Sequence, residues 1–200
     1  VDTMSVKEPT LNRAQRRKQR TYERLLNATD HLLHTEGYTT LTVRKITDYA
    51  DMGHGTFYLH FDNVDGAVWA VIERNANTTN EVMVTQLASE PPRRRAYLSW
   101  IYMFEFVRET SELFLQMFGK DGSAELIQAY QNWLAHSHEM NMTAGAYQPH
   151  AGPPIYFQAQ YMAGATLRTL CWWAENGFEH TPEEMATMLY EMTYQTPVPK

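Results

Sequence analysis

The sequence predicts an all-α protein, and three observations carry that expectation. Apolar residues recur at helical 3–4 spacing in one segment after another, as in Tyr22, Leu25, Leu26, Ala28, Leu32 and Leu33. Helix punctuation bounds those segments: Gly37 and Gly177 lie just past two of them, and Thr181-Pro182-Glu183-Glu184 opens another. Between residues 42 and 61, two short helical patterns are separated by a three-residue turn containing glycine. That is the outline of a helix-turn-helix. The expected layout is a disordered tail over 1–12, a three-helix head over 13–61 and a helical body over 62–200.

Composition sets limits on this chain of 200 residues. Hydrophobic residues at 44% and charged residues at 20% are ordinary for a soluble globular protein. The single cysteine, Cys171, excludes an intramolecular disulfide and fits a reducing compartment. The first 24 residues are polar and basic, unlike a signal peptide, which points to a cytoplasmic location. The longest uncharged run, Met140 to Leu167, is interrupted by prolines and glycines, so no membrane span is expected. A net charge of −6 speaks against nucleic acid only until its distribution is read. Residues 12–61 hold eight Lys/Arg against five acids, and residues 62–200 hold eight against sixteen. The chain has a basic head on an acidic body.

Taken in order, Arg13 to Arg20 reads RAQRRKQR, with Arg13, Arg16, Arg17, Lys18 and Arg20 as its cations. Such a run is either a solvated helix end or solubilising tail, or an arm that neutralises phosphates or reaches a minor groove beside a DNA-reading motif, and its place before the motif favours the arm. An amphipathic helix follows from about Thr21 to Glu36, ended by Gly37. Thr42 is placed to cap the next helix, Val43 to Ala50, through its side-chain oxygen. Asp51-Met52-Gly53 breaks the pattern, and a second short helix is expected from His54 to His60, with Phe57 and Phe61 turned inward. In a helix-turn-helix the second helix enters the major groove, and its first residues meet base edges. The alternative is an ordinary helix pair.

The ladder Leu25-Leu26-x-Ala28-x-x-x-Leu32-Leu33-x-x-x-Gly37-Tyr38-x-x-Leu41-Thr42-Val43-x-x-Ile46, then Ala50, Gly55-Thr56-Phe57-Tyr58 and His60-Phe61, resembles the DNA-binding domain of the tetracycline-repressor (TetR) family. The likeness covers about the first third of the chain. It departs at Asp51, where a turn glycine is usual, at Gly53, where Ser or Thr usually caps the recognition helix, and at Val64, where a lysine commonly touches phosphate. The resemblance implies that His54, Gly55 and Thr56 face base edges and that Tyr58 and His60 hydrogen-bond phosphates. It implies backbone contacts for Thr42 and Arg44, with Arg44 able to reach a guanine edge.

In the body, Asp62 is expected to cap a connecting helix, with Asp65 completing its capping box; the helix turns polar at 75–80 and stops before Pro91-Pro92. Arg93-Arg94-Arg95 reads as a solvated helix start, followed by an apolar helix from Ala96 to about Thr110. Phe114 to Phe118 continue that character up to the turn 119–122, and Ser123 caps a helix running to about Met140. A Pro/Gly-rich loop over 141–154 precedes helices over 155–176 and 182–194. The family resemblance assigns these last two to a homodimer interface, which suits Ala163-Gly164-Ala165 and the stripe Met185, Met188, Leu189, Met192.

Enzyme signatures are missing: no G-x-G-x-x-G, phosphate loop, G-x-S-x-G or H-E-x-x-H is present, and no pattern asks for a cofactor. His31 and His34 share a helix face and His136 and His138 diverge, but neither pair has the partners a metal needs. Cys171 lies beside Trp172 and Trp173 in an apolar helix and is expected to pack. The family's habit of binding a small effector in the body directs attention to Trp100, Met103, Phe104, Phe114, Met117, Trp133, Tyr161 and Trp172 as pocket lining. Arg168 and Glu105 are candidates to orient a polar group. The reading is a dimeric regulator, a repressor of a pseudo-palindromic double-stranded DNA operator released by an apolar or aromatic effector. The alternative is a helical ligand-binding protein with weakened or lost DNA recognition.

Overall fold

The computed structural model describes residues 12–145, 149–194 and 197–199; the N-terminal tail over 1–11 and part of the 141–154 loop lie outside these. Among the described residues the chain forms α-helices and a short 3-10 turn, with no strand. The head holds α1 (Arg13–Glu36), the 3-10 turn (Tyr38–Thr40), α2 (Val43–Tyr49) and α3 (His54–Phe57). The connecting helix is α4 (Val64–Gln86). The body holds α5 (Pro92–Glu109), α6 (Ser111–Phe118), α7 (Ala124–Thr143), α8 (Ile155–Glu175) and α9 (Pro182–Tyr194).

The basic segment is not a separate arm. Asn12 and Gln15 form a reciprocal capping box: Gln15 N–H donates to Asn12 Oδ1 (2.9 Å) and Asn12 N–H to Gln15 Oε1 (2.8 Å). The run Arg13–Arg20 is therefore the first two turns of α1, and Arg, Gln and Lys are good helix formers. At 1.5 Å per residue it extends about 12 Å beyond the packed part of the helix. Leu25, Leu26, Ala28, Leu32 and Leu33 on the packed part are buried with Ile46, Phe57, Phe61, Ala67, Val68 and Val71 in one hydrophobic core.

The α4 cap also differs from expectation. Asn63, not Asp62, accepts the N–H of Gly66 (2.7 Å), and Asp65 turns away to other partners. The helix then runs unbroken through 75–80, since Asn and Thr weaken a helix without stopping it as proline does. The three arginines 93–95 fall in the first turn of α5, where Arg94 pairs with Glu90 (3.6 Å) and donates to the Pro199 carbonyl (2.8 Å). Three expected caps are formed: Thr42 on α2, Ser123 on α7, and a Thr181–Glu184 capping box on α9.

In the body α7 packs along α8, and α5 along α9. Trp173 is fully buried at the centre, edge-on to Phe104 (5.3 Å) and Phe178 (4.8 Å), with its indole N–H donated to the His180 carbonyl (2.9 Å). No helix of the described residues is long and apolar enough to cross a membrane.

Candidate nucleic-acid interface and the body beneath it

The helix-turn-helix is built from local chemistry. Asp51 adopts φ 52°, the left-handed conformation a turn glycine would supply. Asp tolerates this region better than most residues, so the turn survives its departure from the family pattern. Gly53 has the extended backbone of an N-cap (φ −69°, ψ 143°) but offers α3 no side-chain acceptor. Gly53→Ser is expected to add one and to stabilise the head by roughly a few tenths of a kcal/mol. A thermal midpoint that fails to rise would argue against this cap. Val64 is half-buried against the core.

The α-helical part of α3 is shorter than expected, and Tyr58, Leu59 and His60 form a turn closed by Phe61 N–H to the Phe57 carbonyl (3.0 Å). Phe57 is buried and anchors the helix, whereas His54, Gly55 and Tyr58 are exposed and Thr56 is half-exposed. An added Cβ on Gly55 would meet no atom within 4 Å, so the α3 backbone itself is open to a ligand. His54 and Tyr58 stand edge to face at 5.5 Å. Thr42 is exposed while capping α2. Arg44 extends into solvent beside Asp48 (3.6 Å).

Arg13, Arg16, Arg17, Lys18 and Arg20 are all exposed, and none forms an ion pair among the described residues. The structure brings the end of this basic helix to the end of the recognition segment. Gln15, Lys18, Gln19, Tyr22 and His60 line a shallow cleft of about 360 Å³. Burial, then Lys18, lowers the pKa of His60 in the free chain, which favours the neutral ring there. Sequence reasoning missed Gln15 and Gln19 as members of this cleft. The Asn12-x-x-Gln15 capping signature was the available clue, because it starts the helix early enough to place them.

The effector candidates do not form one group. Trp100, Phe104, Phe114 and Met117 are buried, and Met103 and Trp133 are half-buried against the same core. Tyr161, Arg168 and Trp172 are exposed, with Tyr161 at 74%. The reason is helical register: they share one side of α8, while Met162, Ala163, Thr166, Leu167, Leu170 and Cys171 take the packed side. Arg168 pairs with Glu175 (3.2 Å) and not with Glu105. Apolar residues not proposed as pocket lining complete the interior: Phe118 and Tyr130 sit 4.9 Å apart, and Tyr130 stacks on Trp133. His138 lies under Trp100 (6.0 Å), and burial pushes it down to about 4, so it is neutral. Burial pushes the Cys171 thiol up to about 11, and it donates weakly to the Phe118 carbonyl, consistent with packing. His31 stacks on Tyr49 and His34 pairs with Asp30 (3.1 Å).

This head, connecting helix and body have the architecture of a helix-turn-helix regulator, and comparison with known proteins agrees. Residues 25–66 match the profile described as bacterial regulatory proteins, tetR family, and residues 97–195 match one described as transcriptional regulator C-terminal region. The chain belongs to the TetR family of bacterial regulatory proteins. It is 33% identical over 86 residues to an uncharacterized HTH-type transcriptional regulator in the lacX 3' region of Lactococcus lactis subsp. lactis. That match spans 41% of this chain and 44% of the relative, less than half of either. Among solved structures it is similar to Thermus thermophilus FadR in complex with lauroyl-CoA (TM-score 0.71, 15% identity, 90% of this chain and 99% of that one). It is also similar to RolR in complex with resorcinol (TM-score 0.67, 15% identity, 92% and 98%). At these identities the likeness is one of fold.

Proposed function

We propose that this chain is a homodimeric, ligand-responsive transcriptional repressor. Its two recognition helices read successive major grooves of a pseudo-palindromic operator, about 34–36 Å apart. The observation that carries the reading is the joining of the exposed recognition segment to the exposed basic end of α1 through the His60 cleft. In this arrangement His54, Gly55 and Thr56 meet base edges, and Tyr58, His60, Thr42 and Arg44 hold the backbone. The cations of α1 supply the salt-dependent share of affinity.

The dimer uses the outward stripe of α8 with α9. Phe157, Tyr161, Gly164, Arg168 and Trp172 recur at 3–4 spacing, and Met188 and Met192 are exposed on α9. Large apolar side chains exposed along helix faces in this way favour an interaction site. Tyr161, Arg168 and Trp172 thereby move from the effector pocket to the interface. Trp100, Met103, Phe104, Phe114, Met117 and Trp133 remain as the interior that opens around an apolar or aromatic effector. The ligands of the similar structures, lauroyl-CoA and resorcinol, support that chemical class. Effector and operator then weaken each other reciprocally, because each prefers a different head spacing.

The test is a gel shift with DNA from upstream of the chain's own gene over a salt series. Tyr58→Ala with His60→Ala is expected to weaken binding at every salt concentration and to leave the dimer folded. Unchanged affinity at fixed salt would remove these two residues from the interface. Binding that is absent in the unmodified protein would favour a ligand-binding protein without DNA recognition.

A further inference from the structure

Head and body meet through a polar cluster that the roles above do not use. Tyr38, in the 3-10 turn after α1, donates its hydroxyl to Asp65 Oδ1 (2.7 Å). The Ser123 hydroxyl, at the start of α7, donates to Asp65 Oδ2. The backbone N–H of Tyr38 donates to Gln116 Oε1 of α6 (2.9 Å), and Asn63 donates its amide to Glu125 of α7 (3.0 Å). One carboxylate in the first turn of α4 is thus shared between a head side chain and a body side chain. Gly37 makes room for this contact: its φ is +81°, and a Cβ there would come within 2.9 Å of Gln116 Oε1. Burial and Asp65 push the Tyr38 hydroxyl up to about 12, so it remains a donor throughout the physiological range.

We infer that Asp65 is the pin that sets the orientation of the head on the body, a positioning residue for the recognition helix. The apolar contacts of Ala67, Val68 and Val71 are non-directional and permit sliding. Hydrogen bonds to a carboxylate are directional and stronger than neutral ones. Farther along α4, Arg74 donates to Asn27 (2.7 Å) and Asp30 (2.7 Å) of α1, tying the first half of α4 to the head. The head and this half of α4 therefore turn as one piece, and the turn between α6 and α7 is the part of the body that holds the pin. The regulatory meaning of the pin rests on the proposed DNA reading, in which head orientation decides operator affinity.

The orientation itself is measurable without DNA or effector. Asp48→Cys on α2 and Glu139→Cys on α7 are both exposed sites for a fluorophore pair in the full-length protein. The buried Cys171, with its raised pKa, stays unlabelled. Labelled chains are diluted into unlabelled ones so that single-molecule energy transfer reports distances within one chain. Asp65→Ala and the near-isosteric Asp65→Asn are expected to shift the head-to-body distance or at least double the width of its distribution. Tyr38→Phe, which removes only the head's bond to the carboxylate, is expected to do the same and to add nothing on the Asp65→Ala background. Val107→Ala, a core truncation on α5 outside the pin, is expected to leave the distribution in place. Distributions for the Asp65 variants that superimpose on the unmodified protein overturn the inference, as does an equal change from Val107→Ala. Should Asp65→Ala fail to fold, Asp65→Asn and Tyr38→Phe decide the question by the same readout. A failed gel shift would leave this result standing, and a failure here would leave the DNA reading standing.

Discussion

Tyr161→Arg with Trp172→Arg is expected to convert the proposed dimer into a folded monomer and to weaken operator binding by roughly 10²–10⁴-fold. Both side chains are exposed in the single chain, at 74% and 43%, so replacing them removes little intrachain packing. They flank Arg168 on the same stripe of α8, and across a two-fold axis the variant would set three cations against three. The affinity loss follows from avidity: joined heads bind the second half-site as an intramolecular event, and separated heads do not. Sedimentation equilibrium reads the mass, circular dichroism the fold, and a gel shift the affinity. A variant that sediments as a dimer would place the interface elsewhere.

Phe57→Ala is expected to cost about 3–5 kcal/mol, a large part of the stability of a typical domain. The ring is 0% exposed and lies 5.5 Å from both Phe61 and Tyr58, so its removal leaves a cavity at the point where α3 is held to the core. With four residues, α3 has no independent helical stability and depends on this packing. The expected result is loss of DNA binding and of amide protection in the head, with the helices of the body still protected. Hydrogen exchange resolved by residue checks this. Protection in α2 and α3 equal to that of the unmodified protein would show that Phe57 is not their anchor.

Wherever a feature rests on neighbours in sequence, it was legible beforehand. Thr42, Ser123 and Thr181 cap helices because a side-chain oxygen reaches an N–H three residues on, whatever lies around them. Gly37 takes its positive φ for a similarly local reason. The basic run shows an available signal read too weakly. Its composition favours helix, and Asn12 with Gln15 marks the start, so of the two readings of this run the helix end had the local signal. Asp62 against Asn63 as the α4 cap is a contest between adjacent good caps, decided when Asp65 found partners in the head and body. The candidate site divides along the same line. His54 to His60 lay in a pattern of chemistry and spacing, whereas the cleft that His60 shares with Gln15, Lys18, Gln19 and Tyr22 needed the fold to bring α1 to the end of that segment.

The sequence by itself determined the helices, most of their caps, the helix-turn-helix and the separation of a basic head from an acidic body. These follow from 3.6-residue periodicity, side-chain reach and the order of charges along the chain. Tertiary structure alone decided which side of α8 faces outward, sending Tyr161, Arg168 and Trp172 to the surface and leaving Met162, Leu167 and Leu170 inside. It also decided that Tyr38, Asp65 and Ser123, far apart in the chain, would meet at one carboxylate. An apolar helix such as α8 offers several faces of similar hydrophobicity, and only the partner packed against it selects among them.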